Sequence, residues 1–260
     1  MALHPTRFGK QRRLDRLLTP EGFYLWLALD HGLSHGQIEG LVDWESCMAL
    51  SSSPSVSGII LNRGLARELP PDVQSGLVLQ TFGRPDLDGG RHAKVATCRI
   101  EDALRLAADA IALQLDLNAS GLSHAVHALS LMISDADAYD MPVLAMVTPV
   151  QKGDPHGAVA DALRICTELG ADLIKVGLPQ GEAAEDGDGV AVVSEEVLRS
   201  PPVLLAGGER RGDLISRLRL ARACGFSGAC IGRSVFQDPE PERVISAIRA
   251  VLTEQRELTP

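Results

Sequence analysis

Lysine is nearly absent from this chain: Lys10, Lys94, Lys152 and Lys175 stand against twenty-one arginines among 260 residues. Aromatics are also scarce, at 3%. The core must therefore come from Leu, Val, Ile and Ala, which suits layered aliphatic packing better than an aromatic-rich β-sandwich. Excess positive charge is missing too. A net charge of −9 argues against a general nucleic-acid or anionic-membrane binder. Any anionic substrate must then be held by local groups. No CxxC pair occurs among the five cysteines, Cys47, Cys98, Cys166, Cys224 and Cys230. The odd count and the scattered, apolar settings read as reduced core thiols of a cytoplasmic protein. No apolar run reaches the length of a membrane span. The basic residues Arg7, Lys10, Arg12 and Arg13 are followed by no apolar stretch before Phe23, so a secretory signal is not expected.

Against this background one lysine is misplaced. Lys175 lies inside the apolar run Ala171-Asp172-Leu173-Ile174-Lys175-Val176-Gly177-Leu178. A lysine is rarely buried without a partner or a task. Desolvation disfavours its charged form, and a neutral amine attacks carbonyls. Lys175 is thus a candidate Schiff-base nucleophile. A buried ion pair, or a side chain reaching past the strand end, would account for it equally well from position alone.

Apolar runs alternate with helical patterns along the chain. Strands are predicted at 23–30, 58–62, 76–81, 110–118, 142–148, 171–176, 202–207 and 228–232, with a short extra strand at 93–97. Helices are predicted at 41–51, 101–108, 123–139, 157–169, 194–198, 212–224 and 241–255. Eight near-continuous apolar strands, each followed by helical sequence, match a TIM (β/α)8 barrel. A doubly wound sheet fits less well, because no GxGxxG follows the first strand. No linker divides the chain, so a single domain over residues 1–260 is expected, with residues 1–22 as an N-terminal helical extension.

In such a barrel the site lies at the C-terminal ends of the strands. Those ends carry Asp30-His31, Asn62-Arg63, Thr81, Asp116-Leu117-Asn118, Thr148, Lys175, Gly207-Gly208 and Gly232-Arg233. Polar residues there are partly mere loop onset. Yet carbonyl chemistry needs an amine and a group that moves protons, and Lys175 with Asp30 supplies both. Gly207-Gly208 after strand 7 and Gly232-Arg233 after strand 8 suit a phosphate held by backbone N–H groups. His31, Asn118 and Lys152 are further substrate-binding candidates at the same rim. His31 and His35, and His124 and His127, lack a third neighbouring ligand, so neither a metal nor another cofactor is expected.

LALDHGLSHGQIEGLVD (27–43), ADLIKVG (171–177), PVLLAGG (202–208) and GACIGRSVFQDPEP (228–241) resemble the archaeal-type class I fructose-bisphosphate aldolase family. RFGKQRRLDRLL before the first strand fits it too. The first segment looks closest to the branch that makes aminodeoxyheptulosonate for aromatic biosynthesis. Related bacterial enzymes of that branch join a ketose phosphate to aspartate semialdehyde. The resemblance implies a TIM barrel, a Schiff base on Lys175, acid/base catalysis by Asp30 and phosphate binding at Gly207, Gly208, Gly232 and Arg233. It also implies a homo-oligomer, often a ring-based decamer, acting on a small phosphorylated substrate without cofactors.

One departure stands out. The family's aldolases usually carry a tyrosine at the end of the fifth strand, where this chain has Thr148. Its two tyrosines, Tyr24 and Tyr139, fall early in strand 1 and at a helix end. A threonine hydroxyl is a poor acid near neutral pH but can hold a water. Asp116 at the end of strand 4 is the other candidate for the vacant role. The expected function is condensation of a donor such as dihydroxyacetone phosphate with a small aldehyde, aspartate semialdehyde being the leading guess. Two alternatives stay open: a thiolase-like acyltransferase on a phosphorylated dione using coenzyme A, and a catalytically degenerate barrel that only binds sugar phosphate.

Overall fold

Strand residues alternate between two apolar environments. In the computed structural model, which describes residues 8–87, 94–117, 122–150, 153–179, 187–208 and 214–254, one set of strand side chains packs against helices. The other set, including Trp26, Ile60, Val78, Leu144, Leu173 and Leu204, packs only on itself and on Leu14 and Leu17. Two covered faces explain why the strands read as unbroken apolar runs.

The strands are β1 (Tyr24–Ala28), β2 (Gly58–Asn62), β3 (Gly76–Gly83), β4 (Ala110–Asp116), β5 (Val143–Thr148), β6 (Leu173–Val176), β7 (Val203–Ala206) and β8 (Gly228–Ile231). All eight pair in parallel, in sequence order, and β8 closes on β1 with Leu25 opposite Ala229 and Trp26 opposite Cys230. This is a TIM barrel of one domain. The expected extra strand is Val95–Ala96, antiparallel to the end of β3.

The N-terminal helix Phe8–Arg16 closes the bottom of the barrel. Leu14 and Leu17 join the interior cluster, and Trp26 Nε1 donates to Leu17 O at 2.9 Å. Lys10, only 6% exposed, bonds both oxygens of Asp172 at 2.8 Å and Asp137 at 2.7 Å. Asp172 in turn accepts from Val143 N at 2.9 Å, so the ion pair ties the helix to the starts of β5 and β6. Trp26 fills the barrel centre. A Cβ on Gly58 would sit 2.7 Å from its ring, which is why glycine stands there.

Several boundaries differ from expectation. The helix predicted from Leu41 begins at Trp44, because Asp43 caps it by accepting from Glu45 N at 3.1 Å. The helix predicted at 194–198 spans Gly187–Arg199, with Val193 and Val197 buried on one side. The segment between His31 and His35, read as loop, contains a helical turn, Gly32–His35. All five cysteines are buried and unpaired. Among the described residues, no helix is long and apolar enough to cross a membrane.

Candidate active site

Each inward-facing row continues past the interior cluster toward the C-terminal mouth. Two residues beyond Ala28 is Asp30, beyond Ile60 is Asn62, and beyond Val78 is Gln80. By the same step Ala112 leads to Gln114, Met146 to Thr148 and Leu173 to Lys175. The polar residues of the barrel interior therefore gather in one layer above Trp26.

Asp30, Gln114, Thr148 and Lys175 of that layer line a cavity of about 250 Å³. Of the residues predicted from sequence, Asp30, His31, Thr148, Lys175, Gly207, Gly208, Gly232 and Arg233 line it. Asp116 is not among the lining residues. It pairs in register with Thr148, and its charge acts on Lys94, whose ammonium burial holds below the usual lysine range while Asp116 opposes the shift. The lining residue of β4 is Gln114. Asn118 and Lys152 lie outside the described residues.

Lys175 is half-buried, opposite Met146 in register, with Nζ 3.8 Å from the Met146 sulfur. It makes no ion pair with any described carboxylate. The buried ion pair that would have explained a lysine in an apolar strand belongs instead to Lys10. Two strands away, on β8, Cys230 is fully buried, and burial pushes its thiol up, opposed by the charge of Lys175 across the barrel interior.

Asp30 sits just past β1 and is held from two sides. Gln80 Nε2 donates to Asp30 Oδ2 at 2.9 Å, and Asn62 Nδ2 donates to Asp30 O at 2.8 Å. The other carboxylate oxygen lies 3.8 Å from His31 Nδ1, too far for a hydrogen bond. Burial pushes His31 down to about 4 against the pull of Asp30, so its imidazole is neutral at pH 7. The His31 ring packs edge-on against Phe236 at 5.2 Å and fills the space beside Gly232. A Cβ at Gly232 would meet His31 Cε1 at 2.5 Å and Ala28 O at 2.9 Å.

Across the cavity, β7 ends in Gly207-Gly208. Gly208 has φ of +68°, a conformation that favours glycine. The Gly207 N–H continues the β7–β8 ladder, where Ala206 pairs with Cys230, whereas the Gly208 N–H has no hydrogen-bond acceptor among the described residues. With Arg233 on the adjoining loop, the open Gly208 N–H and the two side-chain-free glycines form a cradle suited to an anion.

Sequence reasoning missed Gln80, Gln114 and Met146. It took Thr81 as the polar end of strand 3, but β3 runs on to Gly83. Thr81 points outward and donates to Ala112 O at 3.0 Å. The period-two step from Val78 was the available signal for Gln80. Tyr24 is buried at the bottom of the barrel, its hydroxyl pushed up to about 12 by that burial. Six residues of strand, roughly 20 Å, separate it from Asp30. Tyr139 is half-exposed beyond the helix Leu122–Asp137.

The profile of the DeoC/LacD family aldolases matches residues 24–238. The chain belongs to this family. It is a class I aldolase, the lysine Schiff-base kind of carbon–carbon lyase. Among curated relatives, the 2-amino-3,7-dideoxy-D-threo-hept-6-ulosonate synthase of Halobacterium salinarum is 30% identical over 95% of this chain and 92% of its own. The 2-amino-4,5-dihydroxy-6-oxo-7-(phosphonooxy)heptanoate synthase of Streptomyces griseus is 29% identical over 90% of this chain and 86% of its own. A solved archaeal fructose-1,6-bisphosphate aldolase, its catalytic lysine bound to the carbinolamine intermediate, superposes with a TM-score of 0.81. It shares 23% identity and covers 94% of this chain and 99% of its own, a likeness of fold.

Proposed function

We propose that this aldolase joins a phosphorylated keto donor to a small aldehyde through a Schiff base on Lys175. The observation that carries the reading is the position of Lys175 in one cavity with the Asp30 carboxylate and the Gly207, Gly208 and Arg233 cradle. The lysine amine adds to the donor carbonyl, and the carbinolamine loses water to give an iminium. The iminium acidifies the α-carbon, whose proton passes to Asp30 and leaves an enamine. The enamine carbon attacks the aldehyde carbon, and the new alkoxide takes up a proton. Water then hydrolyses the iminium and frees Lys175.

Dihydroxyacetone phosphate and aspartate semialdehyde are the leading pair. A 2-amino-4,5-dihydroxy-6-oxo-7-(phosphonooxy)heptanoate, in the name of the Streptomyces relative, disconnects as an aldol between C4 and C5 into these two compounds. The donor phosphate lies on the glycine cradle, and His31 packs the Gly232 side. Thr148, in place of a phenol, holds a water that protonates the alkoxide, with Asp116 beside it in register. A homo-oligomer belongs to the same reading, supported by apolar surface such as Leu198, which is 82% exposed.

Borohydride reduction in the presence of dihydroxyacetone phosphate, followed by peptide mass spectrometry, tests the reading. A reduced adduct on Lys175, and product from aspartate semialdehyde without coenzyme A, are expected. An adduct on Lys152, or a strict requirement for coenzyme A, would reject it.

A further inference from the structure

A second cation hides behind the glycine cradle. Arg217 lies on the helix Leu214–Ala223 and is only 8% exposed. Its Nη1 donates to Gly207 O at 2.8 Å and its Nη2 to Ala206 O at 3.1 Å. Nε is buried without a partner, and no described carboxylate pairs with the guanidinium. Burial alone holds its pKa below the ordinary arginine value. An uncompensated buried charge is costly, so a feature of this kind calls for a counter-charge.

The two carbonyls that Arg217 grips are not arbitrary. The Ala206 carbonyl shares its peptide unit with the Gly207 N–H, and the Gly207 carbonyl shares its unit with the Gly208 N–H. In a planar trans peptide, C=O and N–H point in opposite directions. Pulling both oxygens toward the helix turns both N–H groups away from it, that of Gly207 onto the β8 ladder and that of Gly208 toward the cavity that the two glycines line. A cation on each oxygen also draws electron density through the peptide, which makes each N–H a stronger donor. Of the two, the Gly208 N–H is the one left without an acceptor among the described residues.

We propose that Arg217 is a positioning residue of the phosphate site: through the Gly207 carbonyl it orients and polarises the Gly208 N–H from behind, and through the Ala206 carbonyl it fixes the turn that presents it. Its charge is answered by the substrate anion one peptide layer away. This rests on the reading above that the cradle holds the donor phosphate. Arg217 touches no substrate. It determines how strongly the enzyme prefers a phosphorylated ketone over its unphosphorylated counterpart.

The test compares wild type, Arg217→Met, Arg217→Lys and Arg233→Ala. Donors are dihydroxyacetone phosphate and dihydroxyacetone with one common aldehyde, and inorganic phosphate serves as a competing anion. Arg217→Met should raise KM for the phosphorylated donor and the inhibition constant of phosphate about tenfold each. It should leave kcat/KM for dihydroxyacetone within about twofold. Arg217→Lys keeps the charge but reaches one carbonyl at a time, so it should fall between Met and wild type. Should the Met variant fail to fold, the Lys variant decides: unchanged discrimination between the donors overturns the proposal. Equal losses on both donors in Arg217→Met also overturn it, since that marks a merely structural arginine. Loss of discrimination in Arg233→Ala but not in Arg217→Met sinks this inference and leaves the phosphate reading standing. Retained discrimination in both sinks the phosphate reading itself.

Discussion

Gln80 Nε2 donates to Asp30 Oδ2 at 2.9 Å, leaving Asp30 Oδ1 as the oxygen without a close donor. Gln80 is 2% exposed and comes from a strand not adjacent to β1, so the bond fixes the carboxylate across the barrel mouth. Asp30→Asn keeps the shape and removes the base, and kcat should fall roughly 10²–10⁴-fold. Gln80→Leu should lower kcat about tenfold with KM little changed, because it frees the carboxylate without touching the donor's phosphate. Near-normal kcat in Asp30→Asn would end its role as the proton carrier, and in Gln80→Leu would show that the bond does not matter.

Lys175→Met should abolish turnover and borohydride trapping while leaving the thermal transition close to wild type. Methionine matches the bulk of the buried stem, and Lys175 forms no ion pair with a described carboxylate that its loss would strand. Residual turnover through another lysine would contradict the assignment.

Thr148 narrows the substrate range. Its hydroxyl is too short and too weakly acidic to stand in for a phenol, and Tyr24 is sealed at the opposite end of the barrel. Wild type should cleave fructose 1,6-bisphosphate poorly compared with its condensation of dihydroxyacetone phosphate and aspartate semialdehyde. Thr148→Tyr should raise bisphosphate cleavage and depress the native condensation. A panel of kcat/KM values decides the matter, and efficient bisphosphate cleavage by wild type would refute the argument.

His31 links stability to pH. An unfolded histidine titrates near 6.5, whereas burial pushes the folded His31 down to about 4. Between these values the unfolded chain binds a proton that the folded protein refuses. The contribution is therefore complete above about pH 6.5 and is lost as pH falls toward 4. Tm of wild type should drop over that window more steeply than Tm of His31→Gln. Parallel curves for the two proteins would show that His31 accepts its proton in the folded state.

The sequence by itself determined the barrel, because eight apolar runs separated by helical sequence have few ways to bury both faces of every strand. It also marked Lys175, since an ionisable group in an apolar run contradicts its surroundings and draws notice one residue at a time. Gly207-Gly208, Gly232 and Asp30 were legible for the same local reason, sitting where strands must end. Tertiary structure decided what depends on relations between distant residues. Lys10, unremarkable in sequence, turned out to be the lysine with the buried ion pair, because only folding brings Asp172 and Asp137 to it. Gln80 lies within its expected strand, but its bond to Asp30 joins two strands that are not neighbours, a relation that exists only in the closed barrel. In the sequence Arg217 is one of twenty-one arginines with nothing to set it apart. Its meaning lies in two carbonyls ten and eleven residues away, whose orientation exists only when helix and strand are packed together.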